Sequence, residues 1–76
     1  MDVRIGVIQN PKELVIEMAD GVDRDKVKAD VDAAVAAKAM LWLTDRNGRE
    51  VAVPTERLAY VELGSPDDVK KVGFGA

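Results

Sequence analysis

Leu41-Trp42-Leu43-Thr44-Asp45-Arg46-Asn47-Gly48-Arg49-Glu50-Val51-Ala52-Val53-Pro54 is the stretch that decides the fold. Leu41 and Leu43 alternate with Trp42 and Thr44. Val51 and Val53 alternate with Glu50 and Ala52. A period of two is the mark of a strand with one buried face. Between the two runs stands Asn47-Gly48, the strongest short hairpin signal. The reading is therefore an antiparallel pair, 40–44 and 49–53. Pro54 has no N–H to give to a ladder and is expected to end the second strand.

On the C-terminal side, Thr55-Glu56-Arg57 reads as a tight turn or a single helical turn, and 58–63 as a further strand closed by Gly64. Ser65-Pro66-Asp67-Asp68 then has the form of a helix start, with Ser as N-cap and Pro at the first helical position. That short helical turn would run to about Val72 and leave Gly73-Phe74-Gly75-Ala76 as a flexible tail.

On the N-terminal side, 23–38 reads as a helix. Asp23 can cap it by accepting backbone N–H groups, and Val22 and Val27 have the spacing of a hydrophobic staple. Val27, Val31, Ala34 and Val35 make one apolar stripe, with Lys28, Asp30, Asp32 and Lys38 largely off it. Earlier still, Val3, Ile5 and Val7 alternate with Arg4 and Gly6, a strand running to Ile8. Asn10-Pro11 marks a turn. Leu14, Ile16 and Met18 then alternate with Glu13, Val15 and Glu17, a second strand in an antiparallel hairpin with the first. A helix beginning at Lys12 competes for this segment, but the β-branched Val15-Ile16 pair and the strict period of two favour the strand.

The expected fold class is thus α+β, a single small domain of order ββαβββ. It would have a mainly antiparallel sheet with one helix on one face, over residues 1–64, followed by the turn and tail at 65–76.

Composition narrows the chemistry. With 76 residues and a net charge of −3, the chain is one domain. A domain of this size buries only roughly 60% of the surface its unfolded chain exposes. Small scaffolds draw extra stability from disulfides, metals or self-association. There is no cysteine and no histidine, so a disulfide is excluded and zinc has no ordinary ligand set. Self-association remains, and a homo-oligomer is the expected partner state. The acidic balance opposes binding to nucleic acid, where Lys and Arg neutralise phosphates. No apolar run approaches the ~20 residues that span a bilayer. Met1-Asp2-Val3-Arg4 lacks the basic and apolar regions of a signal peptide. The expectation is a cytoplasmic protein that binds neither membrane nor nucleic acid.

No catalytic motif is present. Histidine is the commonest general base, and Ser65, the single serine, has none to activate it. The glycines form neither a phosphate loop nor a dinucleotide fingerprint. Asp20, Asp23 and Asp25 cluster around Gly21, but acids gather at a helix start to answer its dipole, so no metal site is expected. Arg46, Arg49 and Arg57 are the densest basic group. They are candidates for an anion or nucleotide contact, with Asp45, Glu50 and Glu56 among them to weaken any positive field.

Trp42 carries more. If the helix covers Leu41, Leu43, Val51 and Val53, then Met40, Trp42 and Ala52 emerge on the opposite face. Ile8 and Val15 can join them, and Tyr60 too if the fifth strand is phased that way. An exposed apolar face with a tryptophan is the signature of a partner surface. The plainer reading is that the sheet curls, or that the C-terminal segment with Val69, Val72 and Phe74 folds back over it. Val72 and Phe74 are also candidates for a docking segment.

The hairpin quoted above, together with Val3-Arg4-Ile5-Gly6-Val7, Ala59-Tyr60-Val61-Glu62-Leu63-Gly64 and Val72-Gly73-Phe74-Gly75, resembles a family of small actinobacterial proteins of unknown function. That family includes a low-molecular-weight mycobacterial culture-filtrate antigen, and the resemblance covers nearly the whole chain. Some members are labelled ATP-binding. The resemblance thus implies ATP as the ligand of an alternative reading, in which Arg46, Arg49 and Arg57 meet phosphates and Trp42 or Tyr60 stacks on a base. The leading expectation is a non-enzymatic interaction or assembly module with no cofactor. Its partner would be a second copy or an unidentified protein.

Overall fold

The computed structural model describes residues 1–64. Five strands and one helix follow in the expected order: β1 (Asp2–Val7), β2 (Leu14–Glu17), α1 (Arg24–Ala37), β3 (Met40–Thr44), β4 (Glu50–Pro54), a 3-10 turn (Thr55–Arg57) and β5 (Leu58–Leu63). The class is α+β and every strand pairing is antiparallel. The expected helical turn and tail at 65–76 lie outside the described residues.

The strands do not share one sheet. They divide into a three-stranded sheet of order β2-β1-β5 and a separate β3-β4 hairpin. Side-chain period gives each strand a face but not a neighbour, so this division was not visible from alternation. The two parts are tied at one corner, where the Arg46 N–H donates to the Glu17 carbonyl at 2.8 Å. The Arg46 guanidinium also donates to the Glu17 carboxylate at 2.9 Å.

Val3, Ile5 and Ile16 from the three-stranded sheet meet Leu41, Leu43 and Val53 from the hairpin, with Met18 and Val27, in one buried core. β1 is the central strand of its sheet, which is why Val3 and Ile5 are fully buried. α1 packs against β3 and the 3-10 turn.

The helix ends are locally determined. Asp23 accepts a hydrogen bond from the Asp25 N–H at 2.9 Å. At the other end Lys38 takes a left-handed conformation (φ 54°). Its N–H reaches the Val35 carbonyl, and the Ala39 N–H reaches Ala34, which is the Schellman arrangement.

The apolar stripe of the helix is only partly covered. Val27 is buried and Val31 and Ala34 are half-buried, but Val35 is 49% exposed. The helix leans on the hairpin rather than across the three-stranded sheet, so its C-terminal valine reaches past the core.

The boundaries differ slightly from expectation. β1 stops at Val7, short of Ile8, and β2 at Glu17, although Met18 is buried. Pro54 is the last residue of β4, opposite Met40, instead of lying beyond it. The turn between β3 and β4 spans three residues. The Gly48 N–H donates to the Asp45 carbonyl and the Asp45 N–H to the Arg49 carbonyl. Gly48 alone takes a positive φ there (84°), as a three-residue hairpin connection requires. Asp45 Oδ1 accepts from the N–H groups of both Asn47 and Arg49 and fixes the loop.

A candidate interaction face

The register of the β3-β4 hairpin sets its two faces. Leu41 stands opposite Val53 and Leu43 opposite Val51 on the core side. Met40 opposite Pro54, Trp42 opposite Ala52 and Thr44 opposite Glu50 make the outer side. Trp42 is 61% exposed and Met40 44%. Four apolar groups in a two-by-two array therefore face away from the core. Directly opposed side chains on one face are the unit of cross-strand packing, so Ala52 and Pro54 flank the indole and its neighbour instead of shielding them. Pro54 was not among the residues expected here. Counting back from the turn, the pairing of Thr44 with Glu50 places Pro54 beside Met40, and that signal was available.

The turn end of this face is charged but neutralised. Arg46 pairs with Glu17 at 2.9 Å, and Arg49 lies 3.5 Å from the Asp45 carboxylate. The hydrogen bond that Arg46 donates to Glu17, then the charge of Glu17, then that of Asp20, raise the Arg46 pKa above its ordinary value.

A second, different face lies on the outside of the three-stranded sheet. Arg4 stands between Val15 on β2 and Glu62 on β5, and Gly6 stands opposite Tyr60. The Tyr60 ring lies across Gly6, where a Cβ would overlap its atoms. Its hydroxyl donates to the Glu13 carboxylate, and Arg4 approaches the same carboxylate at 3.8 Å. This cluster was not read from the sequence. Its one legible clue was a glycine in the middle of an alternating strand, which marks a close approach.

The Tyr60 phenol is held in its protonated form. The hydrogen bond to Glu13 dominates, followed by burial and the charges of Glu13 and Glu62, with Arg4 opposing. Its pKa therefore lies above the ordinary value of about 10. The contact contributes stability below the unfolded pKa and loses it as pH rises through the higher folded pKa. Tyr60 is the only tyrosine in the chain, so tyrosinate absorbance reports it directly. The expected midpoint lies above 10 in the wild type and moves down in Glu13→Ala. Equal midpoints in the two proteins would show that the hydrogen bond does not hold the proton.

A family model described as Protein of unknown function (DUF3107) matches residues 1–75. The chain belongs to the DUF3107 family. No curated protein matches it.

In this DUF3107 domain the residues expected at a partner surface fall into separate places. Met40, Trp42 and Ala52 share the hairpin's outer face. Val15 is exposed on the outside of the other sheet, beside Arg4. Ile8 follows a register shift at the end of β1, and its N–H donates to the Arg57 carbonyl. Val72 and Phe74 lie outside the described residues.

The arginines are likewise apart. Arg46 and Arg49 flank the turn, while Arg57 follows Pro54 at the far end of β4. Those two ends are separated by a five-residue strand, roughly 16 Å at 3.3 Å per residue. Asp23 is occupied as a helix cap. Among the described residues no three acidic side chains come together as metal ligands, and no helix is long and apolar enough to cross a membrane.

Proposed function

We propose that this DUF3107 protein is a non-enzymatic assembly module that self-associates through the outer face of the β3-β4 hairpin. The observation that carries the reading is Trp42, 61% exposed between Ala52 and the Met40–Pro54 pair. An indole buries on the order of 200 Å² when covered, and Trp is enriched among residues that dominate interfaces. A second copy is the simplest cover. A two-fold pair would set the Met40, Trp42, Ala52 and Pro54 patch of one copy against the same patch of the other. Closed two-fold pairs are the commonest assembly. Self-association also supplies the stability that a chain without cysteine or histidine cannot draw from disulfides or zinc.

The test is solution mass by light scattering, with and without ATP, for the wild type and Trp42→Glu. A wild-type dimer is expected. The substitution should weaken it roughly thirtyfold or more, since a central hot spot contributes about 2 kcal/mol or more. A Trp42→Glu protein with unchanged mass and unchanged circular dichroism would sink the reading. A monomer whose thermal melt rises with ATP would replace it with the nucleotide reading, because a ligand that binds only the folded state stabilises it by mass action. Attention would then move to Arg46, Arg49, Arg57 and Tyr60.

A further inference from the structure

The sulfur of this chain resides in three methionines, with no cysteine to react before them. Met18 is 6% exposed and belongs to the core beside Val3, Ile5 and Ile16. Met1 is partly buried and packs against the same core. Met40 is 44% exposed. Of the three it is the thioether most open to an oxidant, and it stands on the outer face of the β3-β4 hairpin.

Its neighbours decide what oxidation does there. Trp42 follows two residues on along the same face, roughly 7 Å away. Pro54 lies directly across from Met40, and Ala52 lies across from Trp42. Pro54 has no N–H and Ala52 has no polar side chain, so neither offers a donor to a polar group at position 40. Leu41 and Leu43 turn to the opposite side, where they are buried. A change at Met40 therefore acts on the outer face and leaves the core packing alone. A thioether packs well against apolar surface and aromatic rings. Its sulfoxide is polar, and the oxygen needs a hydrogen-bond donor once it is taken out of water.

We propose that Met40 is a reversible oxidation site through which hydroperoxides weaken self-association at the hairpin face, an inference that rests on the assembly reading given above. The sulfur lone pair attacks the distal oxygen of the hydroperoxide. An S–O bond forms, the O–O bond breaks, and the proton on the transferred oxygen passes to the leaving oxygen. Hydrogen peroxide departs as water, and an alkyl hydroperoxide as its alcohol. Sulfur gives up two electrons and the peroxide takes them. Reduction by a dithiol, the reaction of methionine sulfoxide reductases, returns the thioether with one disulfide and one water.

Assembly and oxidation then oppose each other. A pair of copies covers Met40, and the separated chain presents it. The oxidised chain pairs less tightly in turn, because its sulfoxide is buried opposite Pro54 without a donor. The two effects are linked by mass action, so the wild type should oxidise more slowly as its concentration rises.

The test is light scattering over a dilution series of the full chain, before and after hydrogen peroxide, with peptide mass mapping to place the added oxygen. The oxygen is expected on Met40 ahead of Met1 and Met18. Association should weaken about tenfold or more, as for a buried polar group left without a partner, while circular dichroism stays unchanged. A methionine sulfoxide reductase with dithiol should restore it. Met40→Leu, compared with its own value before treatment, should show no change on oxidation. Oxidation of Met1 or Met18 ahead of Met40 would overturn the proposal. So would a pair equally tight with Met40 oxidised, or a Met40→Leu protein that weakens as the wild type does, which would assign the effect to Trp42. Each of these results leaves the assembly reading standing. A wild type that is monomeric before any peroxide is added removes that reading, and this inference with it.

Discussion

Leu41→Ala is expected to cost about 2–5 kcal/mol, the range for truncating a buried leucine. Leu41 is 2% exposed. It sits on the inner side of β3, opposite Val53, on the strand against which α1 packs. It is thus the side chain through which hairpin and helix share one core with Val3, Ile5 and Ile16 of the other sheet. The cavity left by truncation would open at that junction, where two separately hydrogen-bonded sheets meet mainly through side chains. At roughly 0.05–0.15 kcal/mol per residue a domain of this size has about 4–11 kcal/mol in all, so the loss would take a large share of it. Urea denaturation should show the midpoint falling by roughly a fifth or more. Val35→Ala is the matched control. Val35 belongs to the apolar stripe of α1 by sequence but is exposed, and its truncation should stay within about 0.5 kcal/mol. Equal losses for the two would mean that the helix stripe, and not the sheet junction, organises the core.

Gly6→Ala is expected to destabilise by about 1–3 kcal/mol, the usual cost of overpacking. The sign is what makes this informative. In a strand, Ala is ordinarily better than Gly by roughly 0.5–1 kcal/mol, because Gly loses more chain entropy on folding. Here the new methyl would overlap the Tyr60 ring. Gly6 does not take a left-handed φ, so its backbone tolerates a side chain and the ring alone opposes one. Moving the ring aside would break its hydrogen bond to Glu13. In a Tyr60→Ala background the obstruction is gone and Gly6→Ala should turn neutral or stabilising. A double-mutant cycle in thermal or urea melts measures the coupling. Additive effects would show that the Tyr60 ring does not rest on Gly6 in solution.

Local chemistry made much of the molecule legible. Asp23 was readable as the helix cap because its carboxylate needs only the N–H groups two or three residues on. The β3-β4 hairpin was readable because period-two alternation on both sides of Gly48 leaves the chain one way to bury Leu41, Leu43, Val51 and Val53 together. The same alternation placed Trp42 on the uncovered side. All of these are relations within a few residues or across one turn, where chain connectivity itself brings the groups together.

The element order, the hairpins, the helix and the outward-facing Trp42 were therefore determined by sequence alone. Only the tertiary structure decided that the five strands split into two sheets, that Glu17 and Arg46 lock the corner between them, and that Tyr60 lies on Gly6 and donates to Glu13. The exposure of Val35 among the described residues belongs to the same class. Each of these depends on residues distant in sequence finding one another. That choice is made by the shape of the whole core, because a strand's pattern says which face it buries and is silent on which neighbour it takes.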